Sequence, residues 1–328
     1  MIDVLALPFM QRALIAALLS GLIAPAIGTF IVQRRMSLLG DGLGHVAIMG
    51  VGLALLTGTA PLPIAVITCV VGAVAVELLR QHGKASGDLA LAILFYGGLA
   101  SGVLMAGIAG QGAAGLSSFL FGSLTSVNQN EIYLIAGLAV IILAITISLA
   151  PRLFAVSVDE KYAQVLGIRV KALNLLVVVL AAVTVTVSMR TVGLLLISAL
   201  MVIPVATAQQ SFVGFTASFF GAMGIGAVAA VGGTIGSFYL DTATGATIVV
   251  TAIALLGLSW LVGGKLRRTD RFIPYIEDHG QHPHQAAESH DDRHAELPGV
   301  KVIQHGDHLD YVHDGHRHAR HGDHYDEH

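Results

Sequence analysis

The sequence predicts an all-α polytopic membrane protein of about eight to nine transmembrane helices, followed by a largely disordered, His-rich C-terminal tail. Three observations carry this. Of 328 residues, 55% are apolar and 12% charged, against about 25% charged in an ordinary soluble domain. The charges are unevenly divided: residues 1–264 hold ten Lys/Arg and eight Asp/Glu, and the last 64 hold eight and thirteen. Histidine occupies 13 of the final 50 positions. The chain therefore splits into a membrane body, 1–270, and a polar tail, 271–328.

Within the body, apolar runs near the length of a bilayer-crossing helix fall in order at 13–33, 43–58, 62–79, 89–109, 131–150, 172–189, 192–208, 214–236 and 246–263. The first resembles a signal peptide in position only. Asp3 replaces a basic leader, and the run exceeds the length of an h-region, so it is expected to stay as a span. The second and seventh runs are shorter than the ~20 residues a straight helix needs to cross ~30 Å of hydrocarbon, so broken or tilted helices are expected there.

Alternating loops divide the basic residues sharply. One side receives Arg34, Arg35, Arg80, Lys84, Arg152, Lys161, Arg169, Lys171, Lys265, Arg267, Arg268 and Arg271; the other receives Arg12 and Arg190. Lys and Arg near span ends stay cytoplasmic. With an odd span count, this puts the N-terminus outside, the His-rich tail inside, and the protein in the plasma (inner) membrane. The 38 glycines, clustered inside apolar runs such as Gly221, Gly224 and Gly226, suit close helix packing in lipid.

Ionisable residues inside spans are costly and mark candidate sites. Asp41 and His45 stand four apart at the entry to the second span, a spacing that stacks both side chains on one helix face. A carboxylate and a neutral imidazole are ligands for zinc, manganese or ferrous iron; the alternative is a helix-capping Asp beside a packed His. Glu77 and Asp88 flank a loop with Arg80 and Lys84 and read as an interfacial charge cluster. Arg190 reads as a side chain reaching for headgroups, and Asp241 as a turn residue.

Several functions are excluded or weakened. Lys and Arg build no dense basic face, so no nucleic-acid partner is expected. Cys69 is the sole cysteine, which rules out an internal disulfide framework and a cysteine-based metal knuckle. The nearest approach to a phosphate-binding loop is Gly263-Gly264-Lys265-Leu266, without the required spacing, and His-Glu-x-x-His is lacking. The chain reads as a non-enzyme whose energy comes from elsewhere.

Five stretches in order then carry a resemblance over about residues 8–270: Phe9 to Gly28; Arg34-Arg35-Met36-Ser37-Leu38-Leu39-Gly40-Asp41 through His45; Asp159-Glu160-Lys161-Tyr162-Ala163 through Gly167-Ile168; Val192 through Leu200 and on through Pro204 to Ala208; and Gly236-Ser237-Phe238-Tyr239 through Gly245-Ala246. The body resembles the membrane subunit of zinc/manganese-type metal ABC importers, related to siderophore and cobalamin permeases. The resemblance implies a permease bundle paired with a second copy of itself, cytoplasmic ATP-binding subunits, and an extracellular metal-binding lipoprotein or periplasmic protein. It implies that Asp41 and His45 hold the ion along its path. It also implies that the segment after Pro204, with Ala208, Gln209 and Gln210, turns at the cytoplasmic face and docks on the ATPase. Gly42 and Gly44 weaken a helix at the pair, which leaves its depth open.

In the tail, His305-Gly306-Asp307-His308 is repeated as His321-Gly322-Asp323-His324, with His313, His316, His318 and His328 around them. Imidazole and carboxylate without thiol favour zinc, nickel or copper(II), and a short ordered patch is expected at Val300 to Ile303. No tightly bound cofactor is expected; a divalent transition metal is cargo and tail ligand. The function that follows is the membrane subunit of an ATP-driven importer, zinc first and manganese next. The alternatives are an ion-coupled secondary carrier and a membrane-anchored metal sensor.

Overall fold

The computed structural model describes residues 7–81, 87–112, 114–123, 125, 128–266, 301–305, 308–313, 316–321 and 324–327. The chain forms two compact units, 1–269 and 270–328.

In the first unit, the described residues form eleven α-helices: α1 (Pro8–Gln33), α2 (Leu39–Thr57), α3 (Pro61–Gln81), α4 (Gly87–Ile108), α5 (Ser117–Phe121), α6 (Gln129–Val158), α7 (Glu160–Val165), α8 (Val170–Ser188), α9 (Ile197–Ser211), α10 (Phe215–Leu240) and α11 (Thr244–Leu266). Among them, α1, α2, α3, α6, α8, α10 and α11 are long and apolar enough to cross a membrane, and Ala92–Ile108 of α4 is a shorter apolar helix. All nine runs read from hydropathy correspond to a helix, with two boundary corrections. The second helix is not short: it begins at Leu39 and spans 19 residues. The seventh run is only partly helical. Residues 192–196 form turns, and α9 starts at Ile197 with 15 residues, about 22 Å at 1.5 Å per residue.

Local signals explain most boundaries. Pro8 occupies the first turn of α1, where its missing N–H costs nothing. Gly58 ends α2 in the left-handed region at φ 64°. Asn128 and Glu131 form a reciprocal capping box at the start of α6. The carboxylate of Asp159 accepts from the backbone N–H of Lys161 (2.8 Å) and Tyr162 (3.0 Å) and starts α7. Pro25 inside α1 leaves the Gly21 carbonyl without its helical donor, and α10 presses in at that level: a Cβ on Gly226 would strike Gly21 O and the Pro25 ring.

The helices alternate in direction, so the turns after α1, α3, α6, α8's start and α9 share one end. This is the basic end. There Arg34 Nε donates to Ser157 Oγ (3.1 Å) and Arg34 Nη1 to Asn174 Oδ1 (2.7 Å), and Asn174 Nδ2 donates to Glu160 Oε1 (2.9 Å). One guanidinium thus ties the ends of α1, α6 and α8 together and reaches α7 through Asn174. Burial lowers the Arg34 pKa, and Glu160 pulls it back. The expected Glu77 and Arg80 cluster forms a bidentate pair at 2.9 Å; the side chains of Lys84 and Asp88 lie outside the described residues. Behind this end, Phe30 packs against Phe215 and Phe219, and Phe154 against Phe215.

At the other end, Arg190 does not reach for headgroups. It forms an ion pair with Glu131, both side chains largely buried, and its guanidinium sits 4.7 Å from the centre of the Phe119 ring. Leaving the Arg190 charge without its carboxylate, Glu131→Gln is expected to cost about 1–3 kcal/mol, read as a lower melting temperature of the purified chain; Glu131→Asp should recover part of it. Close helix contact predicts a second loss. A Cβ on Gly28 would collide with the Met201 backbone, so Gly28→Leu forces α1 and α9 apart and is expected to destabilise by about 1–3 kcal/mol or more, measured by thermal unfolding in detergent.

In the second unit, the described tail residues form four strands, β1 (Lys301–His305), β2 (His308–His313), β3 (His316–His321) and β4 (His324–Glu327), paired antiparallel in sequence order. The expected patch at 300–303 overlaps β1. Among the described tail residues the ladder runs on to Glu327.

Candidate functional site

Asp41 lies in the first turn of α2, where a carboxylate meets the positive end of the helix dipole, and His45 follows one turn later on the same face. Ser198 Oγ, from the first turn of α9, donates a hydrogen bond to Asp41 Oδ1. His45 is 5% exposed and stacks on Phe95 of α4, ring centres 3.9 Å apart. Among the described residues nothing hydrogen-bonds His45 Nδ1, a buried nitrogen left with an open position. Ser198 and Phe95 are the partners that the sequence leaves unseen, because both reach the pair across helix interfaces.

The glycines around the pair serve close approach rather than bending. A Cβ on Gly98 of α4 would come within 2.7 Å of the His45 backbone, and one on Gly44 within 3.0 Å of Leu194 O. The helix is continuous from Leu39 through Thr57. Its depth follows from α9. Ser198, bonded to Asp41, stands thirteen residues above Ser211 at the basic end, about 20 Å along the helix axis. Asp41 is therefore well inside the bundle although it begins its own helix.

Beside Gly44, one turn along α2 from Asp41, residues 189–196 are not helical. Residues 189–196 pair with α5 and the residues after it: Leu194 N donates to Phe119 O (2.9 Å), Leu195 N to Leu120 O (3.2 Å) and Ser123 N to Arg190 O (3.1 Å). These bonds satisfy irregular backbone that hydrocarbon would not tolerate. Cys69 is no ligand here; its thiol donates to Leu43 O at 3.3 Å. Among the described residues, no group of three or more His, Cys, Asp or Glu assembles.

At the basic end, Pro204 lies inside α9 and Ala208 packs into a cluster with Val205 and Ala222. Both face inward. Gln209 is exposed and Gln210 half-buried. Beyond them Phe212, 43% exposed, and Val213, 88% exposed, form the tip, and Gly214 turns the chain into α10 at φ 84°. A cleft of about 330 Å³ opens beside this tip, lined by Gln33, Phe154, Gln209, Phe212, Phe215 and Ser218 among others. Tyr162 and Val165 of α7 add exposed apolar surface at the same end.

In the tail, His305, His308, His313, His316, His318, His321 and His324 all lie on the strands; Asp307, Asp323 and His328 are outside the described residues.

The family model described as the ABC 3 transport family matches residues 6–263. The manganese import system permease protein ScaB of Streptococcus parasanguinis is 30% identical over 260 residues, 79% of this chain and 92% of its own length. The high-affinity zinc uptake system membrane protein ZnuB of Haemophilus influenzae is 32% identical over 253 residues, 75% of this chain and 95% of its own. Among solved structures, PsaBC from Streptococcus pneumoniae in complex with Fab contains a chain that is 29% identical and superposes with a TM-score of 0.74, covering 82% of this chain and 97% of that one.

Proposed function

The chain belongs to the ABC 3 transport family, and from that premise we propose that it is the membrane-spanning subunit of an ATP-driven importer of a divalent transition metal, zinc first and manganese second. The observation that carries this is the Asp41 and His45 pair deep in the bundle, one group held by Ser198 and the other presenting a bare buried nitrogen. Oxygen plus imidazole is a donor set for borderline divalent ions. Relatives named for manganese and for zinc are about equally similar, so the order of metals rests on this chemistry.

Two ligands from one chain leave a tetrahedral ion half-coordinated. A second copy of the chain would bring a second Asp41 and His45, which makes a homodimer with the path between protomers the economical assembly. The twelve basic residues at one side put that side in the cytoplasm, with the N-terminus outside and the tail within. The Phe212-Val213 tip and the cleft beside it then face the cytoplasmic ATP-binding subunits, Gln209 sharing the contact while Pro204 and Ala208 shape it from inside. An extracellular metal-binding lipoprotein or periplasmic protein delivers the ion at the opposite face. No observation favours the ion-coupled carrier or the sensor over this reading.

The test is ATP hydrolysis by the reconstituted complex of this chain with its ATPase subunits and binding protein. Zinc is expected to stimulate it most and manganese next. Hydrolysis indifferent to both metals, or uptake driven by a pH gradient without ATP, overturns the reading.

A further inference from the structure

A thioether stands beside the start of α2. Ser198 and Met201 are three apart on α9, a spacing that puts them side by side on one helix face. That face meets α2: Ser198 Oγ donates to Asp41 Oδ1, and a Cβ on Gly40, the residue before Asp41, would lie 3.1 Å from Ser198 Cβ and 3.5 Å from Met201 Sδ. Gly40 has no side chain of its own to hold the sulfur off the α2 backbone. Met201 is 1% exposed, so this is an inward position. Its backbone is held by α1, since a Cβ on Gly28 would collide with Met201 O. Three residues along α9 from Ser198, Met201 is about 4.5 Å nearer the basic end. The thiol of Cys69, also packed on α2, is committed to Leu43 O.

On the importer reading above, we propose that Met201 is a selectivity residue: its sulfur meets the ion on the basic side of Asp41 and biases the path toward zinc over manganese. Carboxylate and imidazole accept zinc, manganese and ferrous iron alike. A thioether does not. It is a soft donor that selects copper(I) and zinc, whereas oxygen donors suit manganese, magnesium and calcium. The unbranched side chain has three rotatable bonds and a polarisable sulfur, enough to turn from the Gly40 backbone onto an ion held by Asp41. Leucine would fill the same volume, so the sulfur is what sets this position apart. Discrimination is a difference of two affinities; a contact that strengthens zinc and leaves manganese unchanged is sufficient.

The test is the zinc and manganese dependence of ATP hydrolysis by the reconstituted complex carrying Met201→Leu, a volume-conserving change that a packed core tolerates. The half-saturating zinc concentration is expected to rise about tenfold with that for manganese little changed, so the preference for zinc falls by the same factor. The melting temperature should stay at the wild-type value. Met201→Ile, also without sulfur, is expected to repeat the shift. An unchanged zinc-to-manganese ratio in both variants overturns the assignment and leaves the importer standing, because wild-type hydrolysis still responds to metal. Equal losses for the two metals would mark the residue as packing alone and overturn it too. A wild-type complex indifferent to both metals overturns the importer reading, and the selectivity residue falls with it.

Discussion

Asp41→Ala is expected to lower metal uptake at least tenfold while the chain remains folded and assembled. Partners that only orient a metal ligand are typically worth 10–100-fold in affinity or activity, and Asp41 is read as a ligand itself. The side chain is only half-buried and accepts one hydrogen bond from Ser198, so truncating it leaves no cavity of consequence. His45→Ala removes the other donor, but it also strips the ring that stacks on Phe95, and His45→Phe therefore serves as the folding control: it keeps the stack without the nitrogen. Ser198→Ala, one step further out, is expected to give an intermediate loss of about tenfold. Zinc-dependent growth and radiometal uptake, each normalised to protein in the membrane, measure the series. Wild-type uptake in Asp41→Ala and His45→Phe together would overturn the site.

Val213→Asp is expected to abolish co-purification of the ATP-binding subunits and, with it, uptake. Val213 is 88% exposed at the tip between α9 and α10, so a carboxylate there meets water in the isolated chain and should not alter its melting temperature. Against a packed partner it becomes a buried charge without a counter-ion, which costs several kcal/mol. Phe212→Ala loses apolar contact and is expected to weaken the complex by a smaller margin. Gln209→Ala should do less still. A Val213→Asp chain that carries its ATPase subunits through purification in normal yield would show that the tip is not the docking surface.

The nine runs were legible because length and hydropathy are local properties. So was the Asp41 and His45 face, since a spacing of four on a helix fixes it. What escaped depends on contacts between elements. The start of α2 reads short because Gly40, Gly42 and Gly44 depress hydropathy, yet glycine is needed there to let Ser198 and Leu194 approach. Residues 192–196 read as a helix because Val192, Leu194, Leu195 and Leu196 are apolar. Gly193 at φ 85°, pressed against the backbone of residues 120–122, breaks it. Segment 114–121 is too short to register as a span. The partner of Arg190 is 59 residues away, beyond the reach of any periodicity.

The seam between residues 119–123 and 190–195 bears on the ion path proposed above. Leu194 lies against Gly44, one turn along α2 from Asp41, and the turn residues 190–195 are tied to α5 and Ser123 by three main-chain bonds. At a net ~1 kcal/mol for each bond, the three hold the two segments together by about 3 kcal/mol, to which the close backbone packing at Gly122 and Gly193 adds.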